Sequence, residues 1–299
     1  MNTETPKRCG FAAIIGAPNA GKSTLVNKLV GAKISIVSHK VQTTRARIRA
    51  IYLNGSAQVI LVDTPGIFKP RRKLDEAMVG NAWGGATEAD AVLLLVDARR
   101  GVDEEFVAIT DTFKAQNIKA ILVINKIDLL PAEKLLALSQ ELNAVYDFTE
   151  TFMVSAVTGS GVEKLGERLA ALMPAGEWLY PEDQTADVHL RFIAAEITRE
   201  KIYERLHDEL PYSSTVETEA WEERKDGSVK ISQAIFVERD TQKAIVLGKG
   251  GAQIKLLGTL ARADMEESFE RKVHLFLFVK VRENWANDPE RLRMMGLEI

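Results

Sequence analysis

Cysteine is almost absent: the chain of 299 residues holds only Cys9, so it carries no disulfide framework. Long apolar runs are missing too, and no stretch approaches the roughly 18 residues that a bilayer-spanning helix needs, which excludes an integral membrane protein of that kind. Met1–Gly10 lacks an apolar core ahead of a small-residue cleavage site. With the lone cysteine, this leads us to expect a reducing compartment, the cytoplasm. Histidine is scarce, and His39, His189, His207 and His274 show no metal-ligand spacing, so they read as structural. Trp83, Trp178, Trp221 and Trp285 are scattered and read as packing groups. Neither charge dominates. Lys plus Arg is 39 against 42 for Asp plus Glu, a net charge of −3, which argues against coating nucleic acid by bulk electrostatics; DNA is not expected and any polyanion contact must be local. Low-complexity tracts and repeats with periods of roughly 20–50 residues are absent, excluding solenoids and propellers.

What is present is the composition of an ordinary globular protein, 46% hydrophobic and 27% charged, long enough for two domains at about 150 residues each. From residue 11 to about 172, short apolar runs alternate with helical stretches. The runs are Phe11–Gly16, Ala50–Leu53, Gln58–Asp63, Ala91–Asp97, Ala120–Asn125 and Thr151–Ser155, and the helices are expected at Lys22–Val30, Leu74–Thr87, Glu104–Gln116, Glu133–Val145 and Val162–Leu172. This predicts an α/β domain, a mostly parallel sheet flanked by helices, over residues 1–175. The proline-punctuated stretch 176–186 reads as a linker. Residues 187–299 then follow another order: a helix at about Asp187–Glu209, strands Ser213–Arg224 and Val229–Glu238 joined through Lys225-Asp226-Gly227, a glycine turn, a helix to about Arg271, and a strand Val273–Val281. That is a smaller α+β domain. On its first helix Arg191, Arg199, Lys201 and Arg205 interleave with Glu196, Glu200 and Glu204, the pattern of a solvated face. His274–Val279 reads as a buried strand rather than an aromatic nucleic-acid face.

Gly16-Ala17-Pro18-Asn19-Ala20-Gly21-Lys22-Ser23 satisfies G-x-x-x-x-G-K-[ST] between a strand and a helix. Glycines let backbone N–H groups converge on phosphate oxygens, the helix N-terminus adds its positive end, Lys22 adds a formal charge, and Ser23, followed by Thr24, offers a hydroxyl to Mg²⁺. Asp63-Thr64-Pro65-Gly66 ends an apolar strand, where a carboxylate can hold Mg²⁺ through water and the Gly66 N–H can sense a γ-phosphate. Asn125-Lys126-Ile127-Asp128 ends another. Asp128 suits the two donors of guanine, N1–H and the exocyclic amine, whereas adenine would face it with a lone pair and a C–H. Asp128 also reads as a helix N-cap before Leu129-Leu130, and the two roles are compatible. Ser155-Ala156-Val157 follows a further strand, placed for a backbone N–H to meet guanine O6.

These four ordered signatures, over about residues 11–172, resemble a GTPase of the translation-factor-related class. The resemblance implies GTP and GDP as ligands and Mg²⁺ as cofactor, held by Ser23, Asp63 and a switch I threonine in Thr43-Thr44-Arg45. Thr44 is taken over Thr43, a choice that the sequence alone leaves open. Catalysis would rest on Lys22, Thr44 and Gly66, and switch II on Ile67–Gly85, whose Gly80, Gly84 and Gly85 suit rearrangement. Ile67 stands where many signalling GTPases carry a water-positioning glutamine. Its presence, with Asn19 in the phosphate loop, resembles potassium-assisted enzymes, making Asn19 a candidate K⁺ ligand unless it serves only loop geometry.

Gly248-Lys249-Gly250-Gly251, followed by Ile254 and Lys255, resembles the GXXG loop of a type II KH domain, in which the backbone approaches a single-stranded nucleic acid, lysine meets phosphate, and Ile245, Leu247 and Ile254 floor a groove for bases. The alternative reading of Lys249 and Lys255 is as ordinary solvated charges. A single GTPase domain followed by such a KH domain resembles the bacterial Era family. The resemblance implies a monomeric hydrolase of GTP that binds small-subunit ribosomal RNA near its 3′ end, assists maturation of the small ribosomal subunit, and associates in part with the inner face of the cell membrane. Two other classes also fit the residues: a signalling GTPase with a protein effector, and an RNA-binding assembly factor whose nucleotide is only a structural ligand.

Overall fold

The computed structural model describes residues 6–38, 40, 43–70, 73–288 and 297. His39, Met1 to Thr5, Arg71 and Arg72 of the expected switch II, and most residues after Asp288 lie outside them. The chain folds as two compact units. Of the described residues, one unit contains those up to Ser35, Thr44–Asp187 and Leu297; the other contains those of Ile36–Thr43 and of the chain from Val188 to Asp288.

The first unit runs β1 (Arg8–Ile15), α1 (Lys22–Val30), β2 (Ile48–Asn54), β3 (Ala57–Asp63), α2 (Lys73–Thr87), β4 (Ala91–Asp97), α3 (Glu104–Gln116), β5 (Ile121–Asn125), α4 (Ala132–Val145), β6 (Glu150–Met153) and α5 (Val162–Leu172). Its sheet has the order β2-β3-β1-β4-β5-β6, with β2 antiparallel to β3 and the other pairs parallel. Helices cover both faces, so every residue of β3 and β4 is buried, the physical origin of their unbroken apolar runs. Asp103 starts α3 by accepting from Phe106 N at 2.8 Å, and that helix buries Phe106, Ile109 and Phe113 in a core shared with Leu94, Leu122 and Ile124. β1 lies where the strand order reverses, so the loop after it opens into the crevice at the carboxyl ends of the strands.

The expected linker is no loose spacer. Gln58, fully buried on β3, donates to Tyr180 O at 2.8 Å and accepts from Leu179 N and Tyr180 N at 2.9 and 3.0 Å, Trp178 Nε1 donates to Ser56 O at 3.0 Å, and Ala186 bridges Ala50 on β2. A stretch without periodicity is thus fixed by side chains remote in sequence.

The second unit contains α6 (Leu190–Arg205), β7 (Ser214–Glu223), β8 (Val229–Val237), α7 (Asp240–Leu247), α8 (Ala252–Phe269) and β9 (Val273–Val281). β7 and β8 are antiparallel, β8 and β9 parallel. Ile202, Leu206, Val237, Val246, Leu257 and Val279 form one core cluster and Ile197, Ile231, Ala261 and Met265 another.

Three expectations are corrected here. The chain passes from β8 to the glycine turn through α7, a short polar helix that buries only Val246 and so lacks a readable apolar stripe. Of the charges of α6, Arg191, Glu204 and Arg205 are exposed, but the middle of the helix is not a solvated face. Arg199, Glu200 and Lys201 are buried, because Arg199 pairs with Glu196, lies over the Tyr203 ring and donates to Thr43 O, Glu200 accepts from Val37 N at 2.9 Å, and Lys201 pairs with Asp264 of α8 at 2.8 Å. Lys40 adds hydrogen bonds to Tyr203 O and Leu206 O, the carbonyls at the end of α6. Finally, β9 is an edge strand with one open face, and Phe276 and Phe278 are 46% and 51% exposed.

Candidate nucleotide and nucleic-acid sites

The phosphate loop connects β1 to α1 and folds its lysine inward: Lys22 is buried, and Nζ donates to the carbonyls of Gly16 and Ala17, each at 3.0 Å. Ser23 Oγ donates to Asp63 Oδ2 at 2.8 Å and lies 2.8 Å from Thr44 Oγ1. Thr43 Oγ1 instead donates to Lys40 O at 2.7 Å, so the geometry brings Thr44 and not Thr43 to Ser23. Asp63 is fully buried, and its Oδ1 has no hydrogen-bond partner. Hard oxygen donors that converge around an orphaned carboxylate oxygen fit Mg²⁺. Burial pushes the Asp63 carboxyl above its ordinary range against the pull of Lys22, Ser35 and Ser23. It lowers the Lys22 ammonium to about 8, with Asp63 opposing the shift.

Gly66 packs directly on the phosphate loop, where a Cβ would meet Pro18 N and Cα at 2.9 Å; the next residue, Ile67, is buried and donates its N–H to Gly16 O at 3.1 Å. Thr64 Oγ1 donates to Ile14 O at 2.7 Å, fixing the segment of Asp63 to Pro65 beside β1. Gly80, Gly84 and Gly85 stand within the regular helix α2, and Arg47 crosses it at Gly84 and Gly85 to reach Asn81 O at 2.8 Å.

Around the expected base site, Asn125 is the tie. Its Nδ2 donates to Ala20 O at 2.9 Å and its Oδ1 accepts from Ala156 N at 3.0 Å, joining the phosphate loop to the loop of Ser155, Ala156 and Val157. Ile127 N donates to Val154 O, and Ser155 Oγ accepts from Thr158 N at 3.1 Å. Lys126 donates to Asn19 O at 2.6 Å, while Asp128 is exposed. Asp128 does not cap α4, whose N-cap is Pro131. Asn19 is exposed and takes a left-handed backbone, φ 63°, which asparagine adopts more readily than most residues. One cluster was not foreseen: Asp97, paired with Lys126 and Arg99. The signal in the sequence is a carboxylate closing a wholly apolar strand and followed by two arginines.

In the second unit the glycine turn separates α7 from α8. Gly248 has φ 72°, and a Cβ there would lie 2.7 Å from Gln253 Cβ, whereas Gly251 faces open space. Lys249 and Lys255 are exposed and Ile254 half-buried. Ile254 and Lys255 line a cavity of about 310 Å³ between α8 and β9 together with Arg262 and Phe276. Ile245 and Leu247, expected in its floor, are not in its lining, since Ile245 lies on the exposed side of α7. Arg262 and Phe276 were missed because only the fold brings them to the turn's helix.

Among the described residues no cluster of His, Cys, Asp and Glu suits a metal, and no helix is long and apolar enough to cross a membrane. Residues 11–126 match the family described as 50S ribosome-binding GTPase, and residues 209–286 match the KH domain family. The architecture is that of a P-loop GTPase domain followed by a KH domain. GTPase Era of Afipia carboxidovorans is 63% identical over 98% of this chain and 95% of its own length, and GTPase Era of Rhizobium meliloti is 60% identical over 98% and 94%. A crystal structure of Era in complex with MgGDPNP and nucleotides 1506–1542 of 16S ribosomal RNA matches with a TM-score of 0.92 at 37% identity, over 98% of this chain and all of that one. A variant of Aquifex aeolicus Era bound to GDP·AlF₄⁻ matches equally well, with a TM-score of 0.92 and 37% identity. The chain belongs to the Era family of GTPases.

Were Lys22 to face the nucleotide phosphates, its lowered pKa would make affinity depend on pH: below about pH 8 the free protein would already carry the ammonium proton, and above it binding would draw that proton from solution. GDP affinity measured by calorimetry without Mg²⁺ should therefore fall about tenfold from about pH 7 to about pH 9, with proton uptake at the upper end. A flat profile contradicts the assignment of Lys22 to the phosphates.

Proposed function

We propose that this chain is a GTP-hydrolysing switch whose KH domain takes up a single strand of small-subunit ribosomal RNA near its 3′ end and assists maturation of the small ribosomal subunit. The observation that carries the reading is the convergence of Ser23, Thr44 and Asp63 oxygens beside Lys22, in a crevice whose other loops Asn125 ties together. The Era complex with MgGDPNP and 16S RNA supports it. The GTPase domain spans 1–175 and the KH domain 187–299, with 176–186 between them; the protein acts as a cytoplasmic monomer with a peripheral contact at the membrane's inner face.

In this reading the amides of Gly16 to Thr24 and the Lys22 ammonium hold the phosphates and neutralise the charge that develops as water attacks the γ-phosphorus. Mg²⁺, held by Ser23 and Thr44 and through water by Asp63, supplies further positive charge to the phosphate oxygens. Thr44 and the Gly66 N–H report the γ-phosphate, and Thr64, Pro65 and Ile67 shape the path between them. The Ile67 side chain cannot hydrogen-bond, so it orients no water. Asn125, Lys126, Ile127 and Asp128 with Ser155, Ala156 and Val157 hold guanine. Gly248, Lys249, Gly250 and Gly251 admit the RNA backbone, and Ile254 and Lys255 line the groove beside it.

Asp128→Asn should shift preference from guanine toward xanthine nucleotides, because the 2-oxo group then meets a donor amide; tight GTP binding with no gain for xanthosine nucleotides refutes the assignment. Gly251→Asp sets a carboxylate against the RNA backbone where no neighbour blocks it, though φ 78° there also strains the loop, and affinity for the 16S 3′ strand should drop by about tenfold or more. Unchanged RNA affinity points instead to a GTPase with a protein effector. With Asn19 as a K⁺ ligand, turnover in KCl should exceed that in NaCl at equal ionic strength, and equal rates remove K⁺ from the mechanism.

A further inference from the structure

The register of β4 against β5 places Asp97 directly beside Asn125, so its carboxylate reaches the residue that follows, Lys126. Asp97 is 4% exposed and accepts four hydrogen bonds: from Arg99 N at 3.0 Å, Arg99 Nε at 3.1 Å, Arg99 Nη2 at 2.7 Å and Lys126 Nζ at 2.8 Å. The Lys126 ammonium is shared, because it also donates to Asn19 O in the phosphate loop at 2.6 Å. The backbone of Lys126 turns in the left-handed region, φ 65°, a conformation that a lysine holds only when its surroundings fix it. Its stem passes alongside Gly21, where a Cβ would lie 3.8 Å from Lys126 Cε. Lys126 is thus stretched from β5 across the phosphate loop, its ammonium held by one neutral carbonyl and one carboxylate.

We propose that Asp97 is a positioning residue for guanine-nucleotide binding, acting through Lys126: it draws the ammonium over the phosphate loop and so holds the Lys126 stem and the adjoining Asp128 loop in place for the base. The inference rests on the nucleotide-site reading above. Charge decides the matter more than hydrogen-bond count. The Asp97 carboxylate stands between two cations, Arg99 and Lys126, and removing its charge leaves them facing each other a few ångströms apart, which drives Lys126 off Asn19. Burial works to raise the Asp97 carboxyl, but the hydrogen bonds from Arg99 and Lys126 outweigh it and keep the group charged at neutral pH. Arg99 is more than half exposed; it holds the Asp97 carboxylate through two side-chain hydrogen bonds and also stands within electrostatic reach of Asp128.

The test is a double-mutant cycle on the full chain, read by dissociation of a fluorescent GDP and by steady-state GTP hydrolysis. Asp97→Asn keeps the shape and should speed GDP release about tenfold, raising KM for GTP while kcat stays within about twofold. Lys126→Met should do the same, and the double variant should be no worse than Lys126→Met alone. Multiplying effects in the double variant would show that Asp97 merely supports the turn after β4 and overturn the proposal; so would wild-type GDP release from Asp97→Asn. A wild-type protein that fails to bind GDP in the same assay would instead remove the nucleotide reading on which the proposal stands.

Discussion

The first unit is organised around one costly arrangement, a carboxylate and an ammonium buried together at the ends of neighbouring parallel strands. Asp63 closes β3 and Lys22 opens the helix that follows β1, and both are nearly without solvent. Burying such a pair gains little stability by itself, because desolvation offsets the attraction, and here one carboxylate oxygen lacks any partner. The arrangement makes sense when a polyanion and a divalent cation complete it. Much else follows from holding these two groups in register. The sheet is parallel and covered on both faces, its strand order reverses at β1, and Gly66 has no side chain because Pro18 occupies the space.

Much of this was legible in sequence because it is local. Unbroken apolar runs report strands buried on both faces, and the phosphate-loop spacing reports a strand, a tight turn and a helix within eight residues. What escaped depends on partners far along the chain. Nothing near Arg199 or Lys201 says that they are buried; Arg199 finds the Thr43 carbonyl and Lys201 the Asp264 carboxylate, both far along the chain. The stretch 176–186 reads as a linker until Gln58, more than a hundred residues earlier, is seen to take its backbone groups. α7 escaped for the opposite reason, being too short and too polar to show a face. Asp97 was visible as a residue but not as a partner, because its meaning lies in the register of β4 on β5.

The excursion Ile36–Thr43 places two kinds of contact one peptide bond apart. The Thr43 carbonyl accepts from Arg199 of α6, and the Thr44 hydroxyl stands beside Ser23. Thr43 and Thr44, neighbours in the chain, thus belong to different units.

The central claim is that nucleotide state governs RNA engagement. The most direct measurement captures and sequences RNA bound to the full-length protein loaded with a non-hydrolysable GTP analogue and, in parallel, with GDP. The account predicts enrichment of one segment near the 3′ end of small-subunit ribosomal RNA with the GTP analogue and little with GDP. Equal and unselective recovery in both states would contradict it.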